Sequence, residues 1–389
     1  MEKEVVKLYM ITLYFFILIW SIVPIIPRYV MVLGGDPISI GMVMSAAPIA
    51  TVVTRVVFSM FSEVYSRVFM MRLGMLILGT SYLLLYISSD INTVLIGRLV
   101  QGLSLAAFIP PSIAYVVDLA KHGFLGKTLG TRALMASLGY TLGPLLGGIV
   151  SELIGYKSLF LISSIMAFSV IPLIRLNECR ANSKTFSELI KGLVNIVSYR
   201  NFIILFIVTA LQTTILASVI PFLSSYLKLM GYSDYDAGLI SSAYGLAGLF
   251  SRLFMNLFTD RDVLMLTFLG LSMDLTGLLI LSFKPLPPEA FIPILLIGFG
   301  DGLFIPCAQT LVFMSSKTEL RTVLSGIYAT AWDLGMFVGP LITGYLITIT
   351  NDYLVTFRYL MIFTLLPTVI LYLKRRELTY RGLGFGGSS

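Results

Sequence analysis

Long apolar runs alternate with short polar connections along nearly the whole of this 389-residue chain. A helix needs about 20 apolar residues to cross a bilayer. Twelve runs meet that length, at about 8–32, 38–60, 71–89, 92–117, 128–152, 158–176, 202–228, 234–258, 263–284, 289–313, 322–349 and 355–375. One connection is long. Residues 177–200 are polar and basic, with Arg180, Lys184, Lys191 and Arg200. Within them Phe186, Leu189, Ile190, Leu193, Val194 and Val197 recur at helical spacing, which predicts a helix lying on the membrane surface, with a plain linker as the alternative.

The pattern also repeats at an offset of 196 or 197 residues. Gly41 and Ser45 correspond to Gly238 and Ser242, and Arg55 and Glu63 to Arg252 and Asp260. Phe108-Ile109-Pro110 matches Phe304-Ile305-Pro306, and Gly139, Gly143 and Pro144 match Gly335, Gly339 and Pro340. Six spans separate the copies, an even number, so both copies keep one orientation. Parallel repeats of this kind carry their binding sites at mid-depth. The expectation is an all-α polytopic membrane protein of twelve transmembrane helices in two pseudo-twofold-related six-helix bundles. The first covers 1–176, a linker 177–200, the second bundle 201–376 and a flexible tail 377–389.

Composition sharpens this. Hydrophobic residues make up 57% and charged residues 12%, where soluble domains carry about 25% charge. Mean hydropathy is +0.93. The net charge of +7 reads as topology and not as nucleic-acid binding. With the N-terminus inside, about 21 Lys and Arg residues fall on the cytoplasmic side and about 5 outside, leaving Arg98 within a span. The charge bias puts both termini and the linker in the cytoplasm of what is expected to be a prokaryotic cell membrane. Cys179 and Cys307 are too far apart in sequence to indicate a disulfide framework, and His122 is the only histidine, so no metal centre is expected. MEKEVVK leads into the first span without a cleavage site, which argues against a removable signal peptide.

Candidate chemistry concentrates in few places. Asp301 lies near the middle of the tenth run, between Gly300 and Gly302, with Pro306 one turn on. A carboxylate at mid-membrane costs about 3 kcal/mol on the lenient scales. It must face water, a partner or a proton equilibrium. The flanking glycines and proline are expected to loosen that helix against a cavity. The other ionisable residues inside spans are Arg98, Asp274 and Asp333.

Several segments resemble motifs of the major facilitator superfamily, and within it the twelve-span drug:proton antiporter group. Ser21-Ile22-Val23-Pro24-Ile25-Ile26-Pro27-Arg28-Tyr29 is similar to that group's proline-paired first helix. Gly97-Arg98-Leu99-Val100-Gln101-Gly102 resembles the helix 4 motif whose arginine is implicated in proton coupling. Gly139-Tyr140-Thr141-Leu142-Gly143-Pro144, continued by Gly147-Gly148, is close to the antiporter motif of helix 5. The loop motif after helix 2 is degraded to Ser59 through Glu63 and Arg67, and its copy after helix 8 keeps Asp260-Arg261 but has Asn256 in place of glycine.

The resemblance implies the major facilitator fold and a secondary transporter working by alternating access. The expected function is proton-coupled efflux of a small amphipathic or drug-like molecule. The partners are the substrate, protons and the lipid bilayer, with a monomer as the working unit, no nucleic acid, and no cofactor beyond the proton gradient. Asp301 is the expected proton carrier, with Arg98 and Asp333 as further coupling residues. Asp274 is expected to be a structural hydrogen-bonding residue. Gln212, Gln309 and Gln101 are expected polar substrate contacts, with Trp20, Phe108 and Phe304 as apolar walls; packing is the alternative for each. The resemblance assigns gating to Glu63, Arg67, Asp118, Asp260 and Arg261, with Asp118 pairing Arg67, and to Gly139, Gly143, Pro144, Gly339 and Pro340. Three small-residue positions on one helix face also serve plain close packing.

Parts of the same sequence fit other readings. Gly298-Phe299-Gly300-Asp301 with Tyr235-Asp236 mimics intramembrane aspartyl proteases, but Asp236 falls at the outer end of its helix. No Pro-Ala-Leu motif accompanies them, so no catalytic residue is expected. A non-transporting receptor on the same fold is a further alternative. Among transporters, the alternative is an importer or uniporter of a small metabolite such as an organic acid. Arg175-Leu176-Asn177-Glu178-Cys179-Arg180 lacks the sugar-porter signature.

Overall fold

The computed structural model describes residues 2–64, 66–120, 125–177, 200–255, 257–259, 261–283, 286–314 and 321–378. The expected surface helix at 186–197 lies outside them, as does the tail beyond Leu378; Glu377 and Leu378, expected in the tail, end the last helix. Among the described residues there is no strand. In chain order the α-helices are α1 (Glu2–Ser21), α2 (Ile25–Val32), α3 (Pro37–Val64), α4 (Arg67–Ile87), α5 (Ile91–Leu119), α6 (Leu125–Ile154) and α7 (Tyr156–Val170). They continue with α8 (Arg200–Leu229), α9 (Asp234–Met255), α10 (Val263–Leu281), α11 (Phe291–Met314), α12 (Arg321–Thr350), α13 (Tyr353–Leu360) and α14 (Ile362–Leu378).

Eleven helical runs among the described residues are long and apolar enough to cross a membrane. Two of them join a pair of helices, α1 with α2 and α13 with α14. The expected span at about 234–258 is α9, long enough but diluted by Asp234, Asp236, Arg252 and its serines and glycines.

Local chemistry explains where helices start and break. Pro24 has no N–H to give, so α1 stops at Ser21 and the ladder resumes with Ile26 N–H on the Ile22 carbonyl at 2.8 Å. Asp90 accepts from the Thr93 N–H at 2.9 Å and caps α5; Asp352 accepts from the Leu354 N–H at 2.6 Å and caps α13. One expectation fails here. Glycine and Pro306 do not loosen the helix around Asp301, because α11 runs unbroken from Phe291 to Met314. Its glycines are instead sites of close approach. A Cβ at Gly302 would lie 2.7 Å from Gly248 Cα of α9, and one at Gly300 would collide with Asp274 of α10.

The chain forms two compact units. The first contains Met1–Ser183 together with Ile220–Gly245. In it α4 packs along α5 and α7, α3 lies on α5, and α1 lies on α6. The second contains Lys184–Val219 and Leu246–Ser389, with α10 along α11. Phe202, Leu205 and Val208 of α8 meet Leu266 and Leu271 of α10 and Phe304 and Leu311 of α11 in its buried core. Thus α8 and α9 each contribute one part to each unit.

The repeat reappears as equivalent packing. A Cβ on Gly143 of α6 would sit 2.7 Å from the Ile17 carbonyl of α1, and one on Gly339 of α12 would sit 2.6 Å from the Thr214 carbonyl of α8. Likewise Gly74 of α4 faces the Phe108 backbone N at 3.1 Å, and Gly270 of α10 faces that of Phe304 at 3.2 Å. At these four places a missing side chain lets two backbones touch.

Candidate functional site

Asp274 of α10 and Asp301 of α11 are buried together in the second unit, at 0% and 2% exposure. Gln212 of α8, also fully buried, joins them. Its Nε2 donates to Asp274 Oδ2 and lies 3.3 Å from Asp301 Oδ1. Gly300 makes this possible, since any side chain there would occupy the place of the Asp274 carboxylate. Two buried acceptors are left over. Neither Asp274 Oδ1 nor Gln212 Oε1 has a hydrogen-bond donor. A buried acceptor without a donor is costly. What Asp274 Oδ1 and Gln212 Oε1 lack is a hydrogen to accept.

The repeat isolates this cluster. Shifted back by 196 or 197 residues, Gln212, Asp274 and Asp301 fall on Phe15, Leu78 and Leu105. Phe15 and Leu78 are fully buried, and Phe15 stacks on Phe108 with centroids 3.9 Å apart. The same layer is therefore apolar in the first copy and ionisable in the second.

The remaining candidates are dispersed. Asp333 is buried on α12, one residue after Trp332, whose carbonyl is 3.4 Å from Thr213 Oγ1. Arg98 is buried in the first unit and donates to the Val43 and Met44 carbonyls at 3.3 and 3.2 Å and to Gln101 Oε1. Gln101 is thus held by Arg98, and its own Nε2 is buried without a partner. Gln309 is half-buried on α11. Trp20 lies on Tyr140 with ring centroids 3.9 Å apart. Phe108 and Phe304 are fully buried, so the structure gives them packing positions in place of the expected open walls.

Among the gating residues, Arg67 pairs with Asp118 as expected and also donates to the Ala114 carbonyl at 2.7 Å. The Glu63 side chain and Asp260 lie outside the described residues, and Arg261 is exposed. Gly139, Gly143 and Gly147 line the face of α6 against Phe16, Ile17 and Ser21 of α1, with Pro144 buried beside them. Gly339 and the buried Pro340 hold the equivalent place on α12.

Sequence reasoning missed three groups. Asp274 joins Asp301 because α10 and α11 pack side by side; the mismatch between repeats at Leu78 and Leu105 is the signal in the sequence. Arg132 of α6 is buried and donates to Ser112 Oγ at 2.6 Å. Arg28, in the proline-paired segment, forms a buried ion pair with Asp234 at 2.5 Å. Asp236 hydrogen-bonds Ser233 at the start of α9.

Comparison with known proteins agrees with this architecture. The family model described as Major Facilitator Superfamily matches residues 8–340. An uncharacterized MFS-type transporter of Methanocaldococcus jannaschii is 23% identical over 385 residues, covering 96% of this chain and 98% of that protein. A multi-drug resistance efflux pump PmrA homolog of Lactococcus lactis is 27% identical over 337 residues, covering 82% of each. Among solved structures, a bacterial homolog of the human lysosomal transporter Spinster superposes with a TM-score of 0.82 at 13% identity, covering 99% of this chain and 98% of that one.

Proposed function

This chain belongs to the Major Facilitator Superfamily, a family of membrane transporters and not of enzymes, and we propose that it exports a small drug-like molecule in exchange for protons. The observation that carries the coupling half of this reading is the cluster of Gln212, Asp274 and Asp301 with its two unsatisfied acceptors. Two ionised carboxylates side by side in an apolar interior repel one another and are poorly solvated, so such a pair holds a proton between them. A proton on either acid turns an acceptor into a donor. The Gln212 NH2 gives one hydrogen to each acid and leaves Asp274 Oδ1 without a donor; a proton held by the pair supplies one.

Exchange then follows from charge. When the cluster is open to water, one acid ionises and is hydrated; when it is closed, neutrality is strongly favoured. Closure is thereby linked to proton binding. The export half rests on the similarity to the multi-drug efflux pump homolog, together with the helix 4 and helix 5 motifs around Arg98 and Gly143.

The test is flux in reconstituted vesicles. Asp301→Asn keeps shape and hydrogen bonding but cannot release a proton. It is expected to keep substrate exchange and to lose pH-gradient-driven accumulation by at least about tenfold, with Asp333→Asn affected less. Full gradient-driven accumulation by Asp301→Asn removes the coupling proposal.

A further inference from the structure

Arg132 is a buried charge of the first unit that neither the proton cluster nor the gating residues use. It is 7% exposed on α6, about 10 Å along that helix from its first residue, Leu125. Its Nη2 donates to Ser112 Oγ of α5 at 2.6 Å, while its Nε is buried without an acceptor. Among the described residues no carboxylate pairs with it. Acids on the neighbouring helices are engaged elsewhere. Glu4 of α1 accepts from the Asn177 N–H at 3.1 Å, and Asp118 of α5 pairs with Arg67. A buried guanidinium without a counter-ion is expensive.

Contacts on either side locate its surroundings. The Tyr9 hydroxyl of α1 donates to the Thr128 carbonyl of α6 at 3.0 Å, and Gly139 of α6 abuts Phe16 of α1. Thr12 and Arg132 fall between these contacts on their own helices. Phe15 of α1 stacks on Phe108 of α5, and further along the Tyr115 hydroxyl reaches Glu4 Oε2 at 3.5 Å, so α1 and α5 run antiparallel. Thr12 and Ser112 therefore lie one helical turn from the aromatic stack, on the same side of it. The Thr12 hydroxyl is fully buried and, like Arg132 Nε, has no partner.

The repeat supplies the contrast. Shifted forward by 196 or 197 residues, Thr12, Ser112 and Arg132 become Thr209, Ala308 and Tyr328. In the second unit the Thr209 and Tyr328 hydroxyls hydrogen-bond each other at 2.5 Å, and Ala308 is fully buried. That polar pair satisfies itself. The equivalent pair in the first unit does not.

We propose that Arg132 and Thr12 form a binding site for an oxyanion, the carboxylate or phosphate of an amphipathic molecule. The guanidinium is a planar donor that matches the oxygens of such a group, and its Nε–H and the Thr12 hydroxyl are the free donors. Ser112 positions the guanidinium, since its own hydroxyl hydrogen goes to the Ile109 carbonyl at 2.7 Å. The apolar part of the ligand has the Phe15–Phe108 stack one turn away. Joined to the export reading above, on which this last step rests, the site makes the exported molecule an acid.

The probe is 2-naphthoate, with 2-naphthylmethanol as its neutral counterpart, and binding is read by equilibrium dialysis with the purified full chain in a neutral detergent. The acid is expected to bind saturably and at least about tenfold more tightly than the alcohol. Arg132→Met keeps the length and removes the charge. It is expected to lose that preference yet to melt no lower than the parent, because an uncompensated buried charge has gone. Arg132→Lys keeps the charge without the planar fork and is expected to bind the acid about threefold or more weakly. Equal binding of acid and alcohol by the parent, or an undiminished preference in Arg132→Met, overturns the proposal. If Arg132→Met fails to assemble, Thr12→Val decides: a preference reduced about threefold or more supports the site, and an unchanged one overturns it. Nanodiscs of phosphatidylcholine or phosphatidylglycerol separate the two sources of oxyanion. Competition by phosphatidylglycerol assigns the same site to a lipid headgroup, and indifference to the lipid assigns it to a free acid. Binding is read without flux, so an acid that binds but is not exported removes the export reading and leaves the site.

Discussion

The Gln212 NH2 gives one hydrogen to each of two carboxylates, and the two bonds are unequal. Asp274 receives the close hydrogen bond and Asp301 the longer one at 3.3 Å. On the proposed reading, Asp274 shares the coupling proton with Asp301. Asp274→Asn is expected to impair gradient-driven accumulation about as severely as Asp301→Asn while leaving exchange, measured in the same vesicles. An effect on stability alone, with full uphill transport, would return Asp274 to a structural role. How legible was this from sequence? Asp301 stood out because a carboxylate in an apolar run has few excuses. Its alliance with Asp274 was hidden, because the two acids are 27 positions apart on different helices and only the packing of α10 on α11 joins them. Arg28 was hidden for the opposite reason. It sits near a helix end, where a charge needs no explanation until its buried partner is known.

Helix pairing in this protein is set by where side chains are absent. The run Gly139, Gly143, Gly147 lays α6 on the backbone of α1, and Gly339 lays α12 on α8 in the same manner. The motif had suggested a gate, for which a large residue at Gly143 would block movement in a folded protein. The structure changes that expectation. The atoms facing Gly143 are the Ile17 carbonyl at 2.7 Å and the Ser21 N at 3.0 Å, backbone groups that cannot swing aside. Even a methyl group on this face is expected to destabilise. Gly147→Ala should lower stability by about 1–3 kcal/mol, seen as a lower melting temperature in detergent, whereas Gly130→Ala, with nothing within 4 Å of its Cβ, should not. The twelve-run pattern anticipated the helices closely, since apolar length is read directly. It did not reveal that the first run is two helices, because the break at Pro24 costs no hydrophobicity.

At the scale of the whole chain, the alternation of spans and charge makes a definite topological claim. Residue 185 is expected on the cytoplasmic side and the exposed Glu289 on the other. Thr185→Cys and Glu289→Cys, each in a cysteine-free background, should label from opposite faces of intact cells; labelling of both from one face would refute the arrangement. The duplication was legible in sequence as matching positions, while the mixing of α8 and α9 between the two compact units was not, because it depends on which ends pack together. The apolar set Phe15, Leu78 and Leu105, matched in the second copy by Gln212, Asp274 and Asp301, has a consequence in terms of descent. The two copies have diverged at this level: one keeps a greasy layer that any membrane helix bundle can use, and the other carries two buried acids and an amide. The copies are no longer interchangeable. A chimera carrying the first segment twice would inherit the architecture and none of the acid, and three codons separate those two fates.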